Sequence, residues 1–224
     1  DQFGRDMFSR ILYGSQVSLV VGIVGVSITI PIGMFVGGVA GYYGGRVDNA
    51  LMRFVEILFA FPGFYLLLAL TAVLPPTLPS TTRFFMIVVV LSFLGWAGLA
   101  RVIRGLVLSL KEREFVLAAR AVGASDVLVI VRHVLPNTLS YVIVGATLAI
   151  PGYILGESAL SFLGLGIREP QASWGNLLSA ATNIQAMTQY PWLLAPGVFI
   201  FVAVLAYNLF GDGIRDAVDP RQRV

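Results

Sequence analysis

The sequence predicts an all-α, polytopic transmembrane helical bundle. Of its 224 residues, 57% are hydrophobic and only 12% are charged, and the mean hydropathy is +0.85. Average soluble domains have about 45–50% apolar and about 25% charged residues. A soluble fold of this size would expose large apolar patches, because it has too few charged side chains to cover its surface. The apolar residues also occur in long uncharged runs, which are typical of membrane-spanning helices.

Other compositional features exclude several classes of site. The chain has no cysteine and one histidine, His133, which excludes a disulfide framework, a cysteine nucleophile and a metal site built from several Cys or His ligands. The net charge of +3 and the pI near 9.4 come from basic residues scattered between apolar runs. Because nucleic-acid binding needs basic residues gathered on one solvated face, we expect no nucleic-acid partner.

Five stretches are long and apolar enough to be spans, since a transmembrane helix needs about 20 such residues. They are residues 16–43, 57–74, 84–110, 137–155 and 190–210. In the third stretch, Arg101 and Arg104 follow the uncharged part, and we expect both side chains to extend to cytoplasmic water.

The basic residues orient these spans. If the connecting segments alternate between the two sides, eleven of the fifteen Lys and Arg residues fall on one side and four on the other. The larger set is Arg46, Arg53, Arg101, Arg104, Lys111, Arg113, Arg120, Arg132, Arg215, Arg221 and Arg223, and the smaller is Arg5, Arg10, Arg83 and Arg168. The positive-inside rule places the larger set and the C-terminus in the cytoplasm. The N-terminus then lies outside, and because the chain starts at Asp1 without an initiator Met or signal peptide, we expect a further span upstream.

The first span has small residues at four-residue spacing. They are Gly25, Thr29, Gly33, Gly37, Gly41 and Gly45. Such a stripe allows another helix to approach closely, because helices in lipid are held together largely by van der Waals packing. The partner helix can belong to the same chain or to another subunit, and the pattern does not distinguish the two.

Few ionisable residues lie close to the membrane. Arg53 and Glu56 are three residues apart, which predicts an ion pair on one helix face. Glu157 has no evident partner at the outer end of the fourth span. Together with Ser158 and Ser161 it is a candidate for the substrate path, because intramembrane charges often mark such paths; local capping or pairing is the alternative.

Residues 111–136, between the third and fourth spans, have the pattern of two short helices joined by a turn. Gly123 can adopt the left-handed conformation that ends a helix, and Ser125 can cap the next helix. We expect Pro136 to close the second helix before the chain re-enters the bilayer. A compact helical elbow of this kind suits the docking of a soluble partner, although a plain connection between spans has the same pattern.

This elbow resembles the EAA loop of bacterial ABC importer permeases. Ala118 and Ala119 are followed by Gly123 and, after ten residues, by Val134-Leu135-Pro136. Further segments are similar to the C-type permease subunit of dipeptide and oligopeptide importers: residues 4–6, 40–42, 60–62, 132–137, 159–166, 173–175, 208–213 and 219–221. The order and spacing of these segments, which run almost end to end, make the resemblance specific.

The sequence departs from the family pattern at two places. Leu117 stands where the family usually has the Glu of Glu-Ala-Ala, and Glu114, one turn earlier, is a candidate substitute. The family's first span, normally upstream of the segment at residues 4–6, is absent. The resemblance therefore implies a type I ABC importer permease fold with five of six expected spans, forming one permease domain over residues 1–224 with its coupling loop at residues 111–136.

The resemblance also implies partners. These are a homologous permease, two cytoplasmic ATP-binding subunits that hold ATP and Mg, and an extracytoplasmic binding protein that contacts residues 75–83 and 157–189. The chain itself would bind no cofactor or metal and would lie in the bacterial inner membrane. The residues implied to couple to the ATPases are Leu117, Ala118, Ala119, Arg120, Gly123, Ala124, Ser125 and Asp126.

Several functional alternatives remain open at this point. Nickel importers of the same subgroup share these motifs, so nickel is an alternative to dipeptides or oligopeptides. A secondary transporter would have internal repeats and broken helices, and a membrane scaffold would not need the elbow. Catalysis by this chain is not expected: Lys111, the single lysine, lies between Leu110 and Glu112 rather than in a P-loop, and His133, Ser140 and Asp126 share no pattern typical of a triad.

Overall fold

A computed structural model describes residues 4–75 and 77–218, and all regular structure in these residues is helical. The α-helices are α1 (Met7–Tyr43), α2 (Gly45–Ala60), α3 (Gly63–Ala72), α4 (Ser80–Leu110), α5 (Glu114–Ala121), α6 (Asp126–Leu128), α7 (Leu139–Phe162), α8 (Trp174–Ser179), α9 (Ile184–Gln189) and α10 (Ala195–Val218). A π-helix (Val129–Val134) and a 3-10 helix (Leu135–Thr138) join α6 to α7, and two further 3-10 helices are Ala180–Thr182 and Pro191–Leu194. The predicted all-α bundle is confirmed.

The described residues contain four helices long and apolar enough to cross a membrane. They are Met7–Tyr43, Ser80–Leu110, Asp126–Phe162 and Pro191–Val218, and the bent pair α2–α3 makes a fifth crossing if it is counted as one span. The third predicted span ends at Leu110, as α4 does. The other long helices extend several residues beyond the predicted spans, because the prediction followed the apolar core and the helices continue into polar residues at their ends.

The second predicted span, residues 57–74, was wrong as a single helix. α2 and α3 meet at an angle of 81°. Phe61 has the extended conformation, with φ −92° and ψ 134°, which is the conformation favoured before proline. Pro62 then precedes α3 as its N-cap, where the missing N–H of proline costs no hydrogen bond.

Pro136 does not close a helix, in contrast to the prediction. The chain stays helical from Asp126 to Phe162. It passes through a π-helical turn and then a 3-10 turn, with Pro136 among the first residues of the latter. These changes of pitch accommodate the proline ring and its missing N–H without ending the helix. The side-chain amide of Asn137 donates to the His133 carbonyl at 2.6 Å, which satisfies an acceptor at this irregular point.

The small residues of α1 contact helices of the same chain. A Cβ added to Gly33 would lie 2.8 Å from the Leu99 side chain, and one added to Gly41 would lie 2.7 Å from the Arg104 carbonyl oxygen, both on α4. Gly25 faces the ring of Tyr153 on α7 at 2.5 Å by the same construction. Of the two alternatives for this stripe, the structure has α1 packed within the subunit.

The bundle has two distinct ends. We call the end that carries residues 111–136 the elbow end and the end that carries residues 163–194 the loop end. Arg104 and Arg120 make their contacts at the elbow end, whereas Arg5, Arg10 and Arg83 make theirs at the loop end. These five basic residues therefore separate as the alternating spans predict. Arg221 and Arg223 lie outside the described residues, as does the segment at residues 219–221.

Candidate functional site

The turn of the elbow has a complete helix-ending motif. Gly123 has φ +85°, the left-handed conformation predicted for it. Its N–H donates to the Arg120 carbonyl at 2.9 Å, and the N–H of Ala124 donates to the Ala119 carbonyl at 3.1 Å. This pair of hydrogen bonds is the Schellman arrangement, in which a glycine follows the helix. The turn is therefore fixed by backbone bonds.

The next helix begins with the predicted cap. The hydroxyl of Ser125 accepts a hydrogen bond from the Leu128 N–H at 3.4 Å, and Asp126 lies in the first turn, where a negative charge is favoured by the helix dipole. Four residues separate α5 from α6. The elbow thus joins α5 to the long α6–α7 helix by a short and ordered connection.

Tyr42, at the end of α1, anchors both helices of the elbow. Its hydroxyl donates to Asp126 Oδ1 at 2.7 Å and accepts from Arg120 Nε at 3.1 Å. The Arg120 guanidinium also lies 4.7 Å from the centroid of the Tyr42 ring, a distance at which cation–π attraction operates. Tyr42 is buried. Sequence reasoning included Tyr42 only in the family segment at residues 40–42 and missed its contacts, because nothing local indicates which side chains it meets.

The elbow has a buried side and an exposed side. Val116 and Ala119, three residues apart on α5, are buried against residues of α1, α4 and α7. Leu117 and Ala118 are exposed, as are Arg120, Gly123, Ser125 and Asp126, while Ala124 is half-buried. Large apolar side chains also remain exposed on this part of the chain: Phe115, Leu117, Val122, Val127, Leu128 and Val131. The coupling role of these residues stays a prediction.

Leu117, at the position of the family's usual glutamate, is 46% exposed. Glu114, its candidate substitute, makes no ion pair with any residue in 4–75 or 77–218. The structure thus has the apolar side chain of Leu117 where the resemblance expects a carboxylate. The carboxylate of Glu114 has no ion-pair partner in the described part of the chain, so it can pair with a residue of another subunit.

The two arginines expected to extend to cytoplasmic water also contact side chains of α2; Arg101 is exposed and Arg104 is half-buried. Arg104 donates to both carboxylate oxygens of Asp48, with Nη2 to Oδ2 at 2.6 Å, and Asp48 is buried. The Arg101 guanidinium lies 4.6 Å from the centroid of the Phe59 ring. The Arg53–Glu56 ion pair is confirmed at 3.2 Å.

At the loop end, the side chain of Glu157 is completely buried. Its carboxylate accepts from Ser161 Oγ at 2.6 Å and from Ser18 Oγ at 3.3 Å. The two serines in turn accept from the backbone N–H groups of Ile167 and Trp174, at 2.9 and 3.1 Å. The carboxylate thereby links α1, α7 and the segment after α7.

The other two candidates for the path are also buried. Ser161 is 2% exposed and belongs to the Glu157 network. Ser158 is 7% exposed, and its hydroxyl has no hydrogen-bond partner among the described residues. That all three residues line a substrate path stays a prediction.

Arg83 is a structural residue that sequence reasoning missed. It is 2% exposed and donates to the carbonyls of Gly166 at 2.7 Å, Leu165 at 3.1 Å and Pro75 at 3.4 Å. It therefore connects the segments before α4 and after α7. The only signal in the sequence was an arginine at the start of a long apolar helix. This signal did not indicate a buried role, because an arginine at such a position commonly extends to the lipid headgroups.

Glu169 joins the start of the chain to the segment after α7. Arg5 donates to both of its carboxylate oxygens, with Nη2 to Oε1 at 3.0 Å, and Arg10 donates to Oε1 at 2.6 Å. Hydrogen bonds from Arg5, and to a smaller extent from Arg10, lower the pKa of the Glu169 carboxyl below its usual value. These residues and Arg168 line a cavity of about 460 Å³ at the loop end.

Comparison with known proteins identifies the family. Residues 29–224 match the family described as "Binding-protein-dependent transport system inner membrane component". The chain is 42% identical over 225 aligned positions to the dipeptide transport system permease protein DppC of Bacillus subtilis, covering 100% of the chain and 68% of that protein. It is 43% identical over 224 positions to the oligopeptide transport system permease protein OppC of Haemophilus influenzae, covering 100% of the chain and 70% of that protein.

Solved structures show the same fold. A chain of the inward-facing MetNI methionine ABC transporter matches with a TM-score of 0.67 at 19% identity, covering 95% of this chain and 98% of that one. A chain of an amino acid ABC transporter matches with a TM-score of 0.67 at 14% identity, with 94% of each chain covered. The chain belongs to the family of binding-protein-dependent transport system inner membrane components and has the ABC importer permease fold.

Proposed function

We propose that this chain is a permease subunit of an ATP-driven importer of dipeptides or oligopeptides, and that it forms half of a translocation path with a homologous permease. The substrate class is supported by the two relatives at 42–43% identity, which are named as dipeptide and oligopeptide permeases and align with the whole chain. The energy source is supported by the fold shared with ABC transporters. ATP and Mg would be held by two cytoplasmic partner subunits.

The elbow is the observation that carries the coupling part of the proposal. A rigid turn presents an exposed apolar side, while its buried side packs against α1, α4 and α7. α6 continues into α7, and Tyr42 connects the elbow to α1. A displacement of the elbow by a partner is therefore transmitted to both long helices. Rigid-body motion of packed helices is an established route to alternating access and domain closure.

The proposed orientation puts the elbow end and the C-terminus in the cytoplasm of a bacterial cell, with the helices in the inner membrane. It is supported by the excess of basic residues on that side. The loop end then faces an extracytoplasmic binding protein, and the cavity lined by Arg5, Arg10 and Arg168 lies on the surface offered to it. In this arrangement the hydrogen bonds of Glu157 with Ser161 and Ser18 hold the segment after α7 in place on that side of the bundle.

Reconstitution tests the proposal directly. The chain is assembled in liposomes with its partner permease, the two ATPases and the binding protein, and uptake of dipeptides, longer peptides and nickel is compared with and without ATP. We expect ATP-dependent uptake of peptides. Nickel uptake without peptide uptake would overturn the substrate assignment, and uptake that does not need ATP would favour a secondary transporter.

Substitution of Gly123 tests the coupling role of the elbow. No atom lies within 4 Å of a Cβ added at this position, so Gly123→Val acts through backbone strain at φ +85° rather than through a clash. We expect Gly123→Val to lower peptide uptake per ATP hydrolysed. Gly123→Asn is the matched control, since asparagine tolerates this conformation far better than valine; equal coupling in both variants would argue against the proposal.

A further inference from the structure

A polar groove lies between α2 and α4, toward the elbow end. The groove is open on one side, has a volume of about 830 Å³ and is lined mainly by Asn49, Met52, Arg53, Glu56, Arg101 and Arg104. Charged side chains this close to membrane-spanning helices are costly unless they face water or a partner, and they commonly mark transport paths.

The charges of the groove balance except for one guanidinium. Arg104 is paired with Asp48, and Arg53 is paired with Glu56. Arg101 has no carboxylate within ion-pair distance in residues 4–75 and 77–218. The lining therefore presents one uncompensated positive charge.

The position of Arg101 suits recognition of an oxyanion. Its guanidinium lies over the ring of Phe59, which restrains it by cation–π attraction. A guanidinium has five N–H donors in a planar fork that matches the two oxygens of a carboxylate or the oxygens of a phosphate. Arg101 makes no hydrogen bond to another side chain in the described part of the molecule, so these donors are available to a ligand.

The remaining lining favours a zwitterion over an anionic lipid headgroup. The Glu56 carboxylate is paired with Arg53, but its side chain is 56% exposed, so it can also accept a hydrogen bond from an ammonium group. Asn49 offers both a donor and an acceptor. A peptide with free termini carries one ammonium and one carboxylate, which corresponds to the mixed charge of the groove.

We propose that this groove forms part of the translocation path and that Arg101 receives the C-terminal carboxylate of a passing peptide. The inference rests on the proposed function and adds to it a contact between this chain and the substrate. The carboxylate would accept hydrogen bonds from Arg101, and the ammonium would lie toward Glu56. The anionic headgroup of a lipid is the competing occupant.

Uptake of matched peptides tests the proposal. In the reconstituted transporter, Arg101→Gln is compared with the wild type for a peptide and for the same peptide with a C-terminal amide, chosen so that the binding protein delivers both. We expect the variant to lower uptake of the free acid about tenfold, the effect of losing one charge-assisted hydrogen bond, and to change uptake of the amide less than about twofold. Arg101→Lys, which keeps the charge, should retain intermediate uptake of the free acid.

The failure of this proposal can be told apart from failure of the proposed function. If ATP hydrolysis is still stimulated by the peptide-loaded binding protein, the proposed function holds whatever Arg101 does. Equal losses for acid and amide, or no loss for either, would overturn the role of Arg101. Losses that disappear when anionic lipid is omitted from the liposomes would assign the groove to lipid and also overturn the proposal.

The absence of cysteine in the chain allows an independent test of access. Asn49→Cys in the groove is compared with Val202→Cys on the exposed face of α10, and labelling of this chain by a charged, water-soluble thiol reagent is measured by mass spectrometry. We expect Cys at position 49 to react and saturating peptide to slow the reaction, whereas Cys at position 202 should react little in hydrocarbon. No reaction at position 49, or a rate that peptide leaves unchanged, would contradict a place in the path.

Discussion

The hydroxyl of Tyr42 donates a hydrogen bond to Asp126 Oδ1 at 2.7 Å, and this bond links the end of α1 to the start of α6. The two residues are 84 positions apart in the sequence. Because Arg120 donates to the same hydroxyl, one phenol connects α1 with both helices of the elbow. The relationship explains how a short loop can be held rigidly enough to move long helices.

Tyr42→Phe is expected to loosen the elbow while leaving the fold intact. It removes the hydroxyl that serves both Asp126 and Arg120 but keeps the ring that lies under the Arg120 guanidinium. Loss of hydrogen bonds to charged groups costs about 1.5–3 kcal/mol each, with less for partly exposed groups. We expect a drop in thermal stability and in peptide uptake per ATP hydrolysed, measured in reconstituted transporter.

The adjacent tyrosine provides the control. Tyr43 is 48% exposed, and its hydroxyl makes no hydrogen bond to another side chain in the described ranges, so Tyr43→Phe should change neither quantity. Equal effects of the two substitutions would show that the phenol of Tyr42 has no special role in the elbow.

Gly37→Ala is expected to separate α1 from α4. A Cβ at this position would lie 2.8 Å from Ile103 Cβ and closer still to the Ala100 carbonyl oxygen, and overpacking of this kind costs about 1–3 kcal/mol. Gly98→Ala is the matched control, since no atom lies within 4 Å of its added Cβ. Thermal unfolding of the purified protein should show a lower midpoint for the first variant only; a common shift would mean that helix propensity, rather than packing, decides the outcome.

The elements that the sequence predicted well are local. The apolar run that ends at Leu110, the left-handed turn at Gly123 and the cap at Ser125 each depend on residues only a few positions apart. The bend before α3 at Pro62 was missed, although a proline was present there, and the expectation that Pro136 ends a helix was wrong. A π-helical turn followed by a 3-10 turn accommodates Pro136 without ending the helix, and no local pattern indicated these turns.

The missed residues have distant partners. Arg83 meets carbonyls 82 and 83 positions away, and Tyr42 meets Arg120 at a separation of 78. Such contacts are decided by the helix packing, so residue type and spacing along the chain do not indicate them. Glu157 was singled out because the sequence shows no basic residue near it. Its partners are serine hydroxyls of α1 and α7 rather than a basic side chain.

Glu157→Gln is expected to weaken the segment that follows α7. The carboxylate accepts from two serine hydroxyls, one on each oxygen. An amide has only one carbonyl oxygen, so its NH₂ group, which is a donor, would face the hydroxyl donor of one of the two serines. An unsatisfied buried hydrogen bond costs about 1–3 kcal/mol. Hydrogen–deuterium exchange should therefore become faster at the amides of Ile167 and Trp174, which donate to those serines.

Ser158→Ala is the control for that substitution. Its buried hydroxyl has no hydrogen-bond partner in the described part of the chain, so its removal costs no bond and should leave exchange at Ile167 and Trp174 unchanged. If Ser158→Ala accelerated exchange as much as Glu157→Gln does, general packing rather than the carboxylate would be holding this segment.

Acid is expected to weaken the loop end through Glu169. Since Arg5 and Arg10 lower the pKa of this carboxyl in the folded protein, the stabilisation is fully present above the unfolded pKa of about 4.3 and is lost as the pH falls through the lower, folded value. Glu169→Gln should therefore lower the thermal midpoint at pH 7 but not at the lowest pH that the protein tolerates. Glu112→Gln, at an exposed carboxyl of the elbow end without an ion pair in the described ranges, controls for loss of charge alone. A gap between wild type and Glu169→Gln that stays constant across this range would show that the ion pairs with Arg5 and Arg10 do not stabilise the fold.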